Sequence, residues 1–168
     1  MTVEYLKKAE MTPATGEDDT RQIVVEMLDK IEKGGEDVAR EYGVKLDGYE
    51  GDIVVGREEI EAAAGKISQR LKDDIRYARD HVMTFAEKQR DSVQEFEVEL
   101  SSGVFAGQRL IPVTTAGCYV PGGRYAHVAS AIMSVATAKV AGVENVVACS
   151  APHAGGGIHP GILYTMDL

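Results

Sequence analysis

The chain has 168 residues, enough for one ordinary domain or two small ones, and such a length can bury roughly 70% of its unfolded surface. Hydrophobic residues make up 44% and charged residues 27%, and no apolar run approaches the ~18 residues of a membrane span, which excludes a transmembrane protein. The net charge is −9, and the first 100 positions hold 25 of the 27 acidic but only 15 of the 18 basic residues. This acidic half has no basic cluster, which argues against a nucleic-acid partner.

Two further features concern the compartment. Residues 1–8 do not combine a basic stretch with an apolar one and a cleavage site, so the sequence indicates a cytoplasmic protein. Cys118 and Cys149 lie 31 positions apart without a C-x-x-C motif, so we expect free thiols.

Apolar residues at helical spacing predict helices over most of the first half. In chain order we expect a helix after Asp19 that ends at Gly34, a helix over 36–42, a strand or extended segment over 52–55, a helix over 57–64, and a helix over 69–90 with Ser68 as N-cap. The apolar stripe of the last helix is compatible with a dimerising coiled coil but is more typical of core packing. Strict alternation over 95–100 and a turn at 101–103 predict a β-hairpin with one solvated face, its second strand over 104–113.

The pattern changes after Gly117, where charges become rare and small apolar residues dense. We expect a strand over 118–120, a turn at Pro121-Gly122-Gly123, a helix over 126–141, a strand over 145–149, a glycine-rich loop, and a helix that begins at Pro160. This order predicts the start of a parallel α/β sheet. The predicted fold class is therefore α/β, with an N-terminal α+β unit over 1–116 and an incomplete α/β unit over 117–168. Because two parallel strands are too few for a stable sheet, we expect the chain to be the N-terminal piece of a longer protein.

The turn over 119–125 is the leading candidate site, because open α/β sheets bind ligands where a strand gives way to a helix. Paired glycines allow close backbone approach, and Arg124 adds a positive charge, so an anionic ligand fits. A plain strand-to-helix turn explains the pattern equally well, since no complete nucleotide-binding fingerprint is present.

Other chemistry-bearing residues favour structural roles. His153 and His159 share a flexible loop with no acid or cysteine that would complete a metal site, so we predict no metal ligand here. His127 reaches either a ligand phosphate or the start of the helix, and the second is favoured; His81 is expected at the surface. Cys149 ends a strand but has no neighbouring base, so a buried apolar role is favoured over a nucleophile.

Several segments together carry a resemblance to a known family: Gly117–Arg124 (GCYVPGGR), 129–133 (ASAIM), 138–143 (AKVAGV) and 148–152 (ACSAP). In order and spacing they resemble the histidinol dehydrogenase family, and residues 1–116 are similar to its N-terminal region. Glu4–Ala9 (EYLKKA) and the Arg124-Tyr125 pair look more like the sulfopropanediol 3-dehydrogenase branch than like histidine-biosynthetic members.

The resemblance implies an NAD-dependent, zinc-assisted enzyme that oxidises a primary alcohol to a carboxylate in two hydride transfers. It further implies a homodimer with Rossmann-like domains, in which 117–168 is the truncated beginning of an NAD-binding unit. Tyr119 matches the tyrosine that lines the NAD site, with Gly122 and Gly123 beside it. The zinc ligands and the catalytic Glu-His pair are expected beyond Leu168, so no catalytic residue is predicted in this chain. The alternative is a non-catalytic nucleotide-binding or dimerisation module.

Overall fold

The computed structural model of the protein describes residues 17–153 and 156–168. The resemblance at Glu4–Ala9 therefore lies outside the described residues. The helices, in chain order, are α1 (Glu17–Tyr42), α2 (Arg57–Gly65), α3 (Gln69–Asp91), α4 (Val128–Ala131), α5 (Thr137–Val140) and α6 (Pro160–Asp167). The strands are β1 (Phe96–Ser101), β2 (Val104–Gln108), β3 (Thr115–Val120) and β4 (Asn145–Ser150). Two π-helical turns, Gly43–Asp47 and Ile132–Ala136, follow α1 and join α4 to α5.

The mixed α/β fold class predicted from the sequence is confirmed. β3 and β4 pair in parallel, with Tyr119 opposite Cys149 and Val120 opposite Ser150, and the helical stretch over 128–140 connects them. β1 and β2 form a separate antiparallel pair. The predicted start of the last helix at Pro160 is also correct.

The core lies on one face of the β3–β4 sheet. Val120, Ala131 and Ile162 are buried together there, which packs α4 and α6 against the sheet. Ile75 and Tyr164 belong to a second buried cluster that joins α3 to α6. An ion pair between Arg57 and Asp167, at 2.7 Å, links α2 to α6. Hydrogen bonds to Glu61 and to Asp167 raise the pKa of Arg57. Helices of the first half thus support the sheet of the second half.

The expected break between a helix that ends at Gly34 and a second helix over 36–42 is confirmed, because α1 is kinked at Gly35, which takes a non-helical conformation (φ 64°, ψ −144°). The structure differs from the sequence-based expectations at two other places in the first 113 residues. Residues 52–55 form an irregular segment, because no strand of the described residues pairs with them. The hairpin is exposed on both faces and its second strand ends at Gln108, whereas one covered face and an end at 113 were expected.

Candidate cofactor site at the turn after strand β3

The candidate site lies at the edge of the sheet where β3 and β4 both end. Because the strands are parallel, their carboxyl ends meet, and the turn at 121–123 faces the start of the β4–α6 loop. Built onto Gly123, a Cβ atom would lie 3.8 Å from the Ala151 Cβ and 4.0 Å from the Pro152 carbonyl oxygen. The sequence places this turn where open α/β sheets hold ligands.

Tyr119 lies on the sheet face that the described helices leave uncovered. Side chains of successive strand residues alternate between faces, so Cys118 and Val120 are buried while Tyr119 remains 64% exposed. Cys149 is paired with Tyr119 in the register and is exposed on the same face. The ring of Tyr119 is therefore available to pack against a planar ligand at this edge.

Gly122 and Gly123 have different environments. Gly122 is buried, and a side chain there would overlap Ser150 and lie 3.1 Å from the Ile162 Cδ1 and 3.3 Å from the Ala151 carbonyl oxygen. Gly123 is exposed, and a Cβ would make only ordinary contacts. Neither glycine is among those with a positive φ, so the turn needs Gly122 for space and not for a left-handed conformation.

The helix does not begin directly after the glycines. α4 begins at Val128, two residues later than expected, and is only four residues long before the π-helical turn. Arg124 and His127 are exposed, and the His127 side chain makes no capping hydrogen bond although the residue stands at the N-cap. Close backbone approach, not a helix dipole, is what this turn offers a ligand.

The two loop histidines have structural contacts. The His159 Nδ1 accepts a hydrogen bond from the Gly161 N–H (3.1 Å) and so caps α6, while the His153 Nδ1 lies 3.3 Å from the Gly122 carbonyl oxygen. His81 is exposed on α3, as expected from the sequence, with its Nδ1 2.8 Å from the Tyr77 carbonyl oxygen. Among the described residues, no group of three or more His, Cys, Asp or Glu side chains is arranged to hold a metal ion.

The two cysteines are free thiols, as predicted. Because Cys118 pairs with Ala148 and Cys149 with Tyr119, their side chains project from opposite faces of the sheet and cannot bond to each other. Cys118 is buried, whereas Cys149 is exposed and lines a groove of about 540 Å³ between β4, the segment 43–55 and α6. The expected burial of Cys149 was wrong. Among the described residues that line this groove there is no histidine.

Comparison with known proteins identifies the family. The family model for histidinol dehydrogenase matches residues 10–168. The chain belongs to the histidinol dehydrogenase family. A sulfopropanediol 3-dehydrogenase of Ruegeria pomeroyi is 52% identical over all of this chain, which covers 39% of that protein. A histidinol dehydrogenase homolog of Pelagibacter ubique is 53% identical, and the chain covers 40% of it.

A solved structure supports the same assignment. The crystal structure of histidinol dehydrogenase from Elizabethkingia anophelis matches with a TM-score of 0.81 at 28% identity, over 97% of this chain and 36% of that one. The chain thus spans about two fifths of the length of the curated relatives named above. No described helix is long and apolar enough to cross a membrane.

Proposed function

We propose that these 168 residues are the N-terminal portion of an NAD-dependent, zinc-assisted dehydrogenase that oxidises a primary alcohol to a carboxylate in two hydride transfers. Membership of the histidinol dehydrogenase family supports the reaction class. The substrate we favour is sulfopropanediol ahead of histidinol, because identity is 52% to a sulfopropanediol 3-dehydrogenase and 37% to the histidinol dehydrogenase of Methanococcus maripaludis.

The observation that carries the NAD assignment is the pairing of an open aromatic ring with a side-chain-free turn at one sheet edge. Tyr119 is 64% exposed on the uncovered face, and Gly122 and Gly123 follow it within four residues. A dinucleotide needs a flat apolar surface for a ring and backbone that its phosphates can approach, and these residues fit both needs. When bound, NAD supplies the hydride acceptor.

The described residues contribute binding and orientation. Tyr119 offers ring packing and a phenol that can donate or accept one hydrogen bond. The glycine turn offers backbone without side-chain obstruction, and Arg124, exposed beside it, adds a positive charge for the phosphates.

The described residues form no cluster that could hold zinc. The family resemblance implies zinc ligands and a catalytic acid-base pair beyond Leu168, and our proposal assigns no catalytic residue to this chain. It also includes a division into an N-terminal unit over 1–116 and an NAD-binding unit over 117–168, a homodimer, and a cytoplasmic location.

The test is calorimetric titration of NAD into the complete polypeptide and its Tyr119→Ala variant, each shown to be folded by circular dichroism. Loss of a packing surface and one hydrogen bond should weaken NAD binding by about 5- to 150-fold, or roughly 1 to 3 kcal/mol. Tyr77→Ala is the matched control, because Tyr77 is 68% exposed on α3 and the variant should bind NAD like the wild type.

The other outcomes are equally informative. Equal dissociation constants for wild type and Tyr119→Ala would remove Tyr119 from the site. NAD binding without alcohol oxidation in the complete polypeptide supplied with zinc would favour the non-catalytic nucleotide-binding module.

A further inference from the structure

One side chain that follows β4, that of His153, contacts the glycine turn. The His153 Nδ1 lies 3.3 Å from the carbonyl oxygen of Gly122, 31 residues earlier in the sequence. A carbonyl oxygen only accepts hydrogen bonds, so the His153 Nδ1 must carry the proton and donate it. This hydrogen bond connects His153 to the candidate NAD turn.

The loop backbone holds His153 in place. Its N–H donates to the Gly157 carbonyl at 2.7 Å, and its own carbonyl accepts from the Gly156 N–H at 3.0 Å. Gly157 closes this turn with a φ of 88°, a conformation that favours glycine, and is buried near Glu59, whose Oε1 a Cβ would meet at 3.3 Å. His153, Gly156 and Gly157 are thereby linked to one another near the carboxyl end of β4.

The His153 ring is also fixed by a neighbour. It meets the His159 ring edge to face, with centroids 5.3 Å apart. His159 in turn is held at the start of α6, because its Nδ1 accepts from the Gly161 N–H and must therefore be unprotonated. The two rings thus have complementary tautomers: His153 carries its proton on Nδ1 and His159 on Nε2.

Gly122 is consequently enclosed on two sides. Ser150 and Ile162 occupy the space that a side chain would need, and His153 binds the carbonyl oxygen. Moving the turn would break the His153 contact, and removing His153 would leave that carbonyl without this donor.

We propose that His153 is a positioning residue for the NAD site, which sets the orientation of the Gly122–Gly123 peptide through its Nδ1–H. This inference rests on the proposed function, because its readout is NAD affinity. A peptide that is already oriented costs less free energy to order when the dinucleotide binds.

The experiment measures NAD dissociation constants for the complete polypeptide carrying His153→Phe or His153→Asn. Phenylalanine keeps a ring to pack on His159 but has no donor, so NAD affinity should fall by about 3- to 10-fold, the value of one neutral hydrogen bond. Asparagine places an N–H donor at the δ position of the side chain and should restore most of the affinity. Rescue by asparagine, which lacks the ring, cannot come from ring packing alone.

The matched control is His81→Phe. In the wild type the His81 Nδ1 also contacts a backbone carbonyl oxygen, that of Tyr77. This contact lies within α3 and not at the glycine turn, so the variant should bind NAD like the wild type. Nitrogen-15 spectra should show the proton of His153 on Nδ1 and that of His159 on Nε2 in the wild type.

Three results would overturn the inference. The first is that His153→Phe binds NAD like the wild type while Tyr119→Ala binds it weakly. This result would leave the proposed function intact. Another is an affinity loss that asparagine does not rescue, which would assign His153 to loop packing. If the wild type binds no NAD, the proposed function and this inference fail together.

Discussion

At the scale of single residues, the two adjacent glycines of the turn are expected to respond differently to the same substitution. A Cβ at Gly122 would overlap Ser150 and crowd Ile162, so Gly122→Ala should lower the free energy of unfolding by about 1–3 kcal/mol. Gly123→Ala would place its Cβ no closer than 3.8 Å to the nearest atoms, so its effect should stay within about 0.5 kcal/mol. Urea unfolding followed by circular dichroism measures both.

Substitutions at Gly122 and Gly123 also distinguish an effect on stability from an effect on NAD binding. Since Gly123 is exposed and is not among the positive-φ glycines, any loss of NAD affinity in Gly123→Val would come from blocked ligand approach. Equal destabilisation by both alanine variants would show that the turn packs differently from the arrangement described above.

The sequence predicts that a glycine pair lies here but not which glycine is indispensable. The space at Gly122 is limited by Ser150 and Ile162, which follow 28 and 40 residues later. The pairing of β3 with β4 brings Ser150 to the turn, and the packing of α6 against the sheet brings Ile162. The contact of His153 with Gly122 could not be predicted from the sequence, because its partner is a backbone carbonyl that no sequence motif marks.

At the scale of elements, the start of α3 tests how much one N-cap hydrogen bond contributes to the stability of the protein. Ser68 was predicted as its N-cap, and the Ser68 Oγ accepts a hydrogen bond from the Leu71 N–H at 3.2 Å. Ser68→Ala should therefore destabilise the protein by about 1 kcal/mol, whereas Ser68→Asp keeps an acceptor and should be close to neutral. Thermal unfolding of the three proteins at one pH checks this, and a neutral Ser68→Ala would mean that water caps the helix equally well.

Local signals predicted the helix starts after Ser68 and at Pro160 and the break at Gly35. Ser68 and Pro160 each mark a helix start through one hydrogen bond or a fixed φ, which depends on few neighbours. Gly35 was expected to separate two helices, and its non-helical conformation (φ 64°, ψ −144°) does kink α1 at that point. Residues 52–55 have strand-like composition, yet strand formation needs a pairing partner.

At the scale of the whole molecule, the uncovered hairpin predicts how the 168-residue chain behaves by itself. In the register, Phe96 and Val98 share a face with Gln108 and Ala106, and this apolar face is solvent-exposed: Phe96 is 55% and Val98 46% exposed. A two-stranded sheet is marginally stable in water unless a further strand or a helix covers it. We therefore expect the 168-residue chain to bind a dye specific for apolar surface and to self-associate, and the complete polypeptide to do so less.

A single substitution tests whether this face is responsible. Val98→Thr keeps the branched shape and strand preference but removes apolar surface, so self-association measured by sedimentation should weaken by about 3- to 10-fold. Val113→Thr makes the same chemical change at a valine that is 62% exposed outside the hairpin, and it should associate like the wild type. Equal weakening by both variants would point to general apolar exposure. A monomeric wild type that binds no dye would show that the hairpin face is stable in water, so that nothing in the rest of the polypeptide needs to cover it.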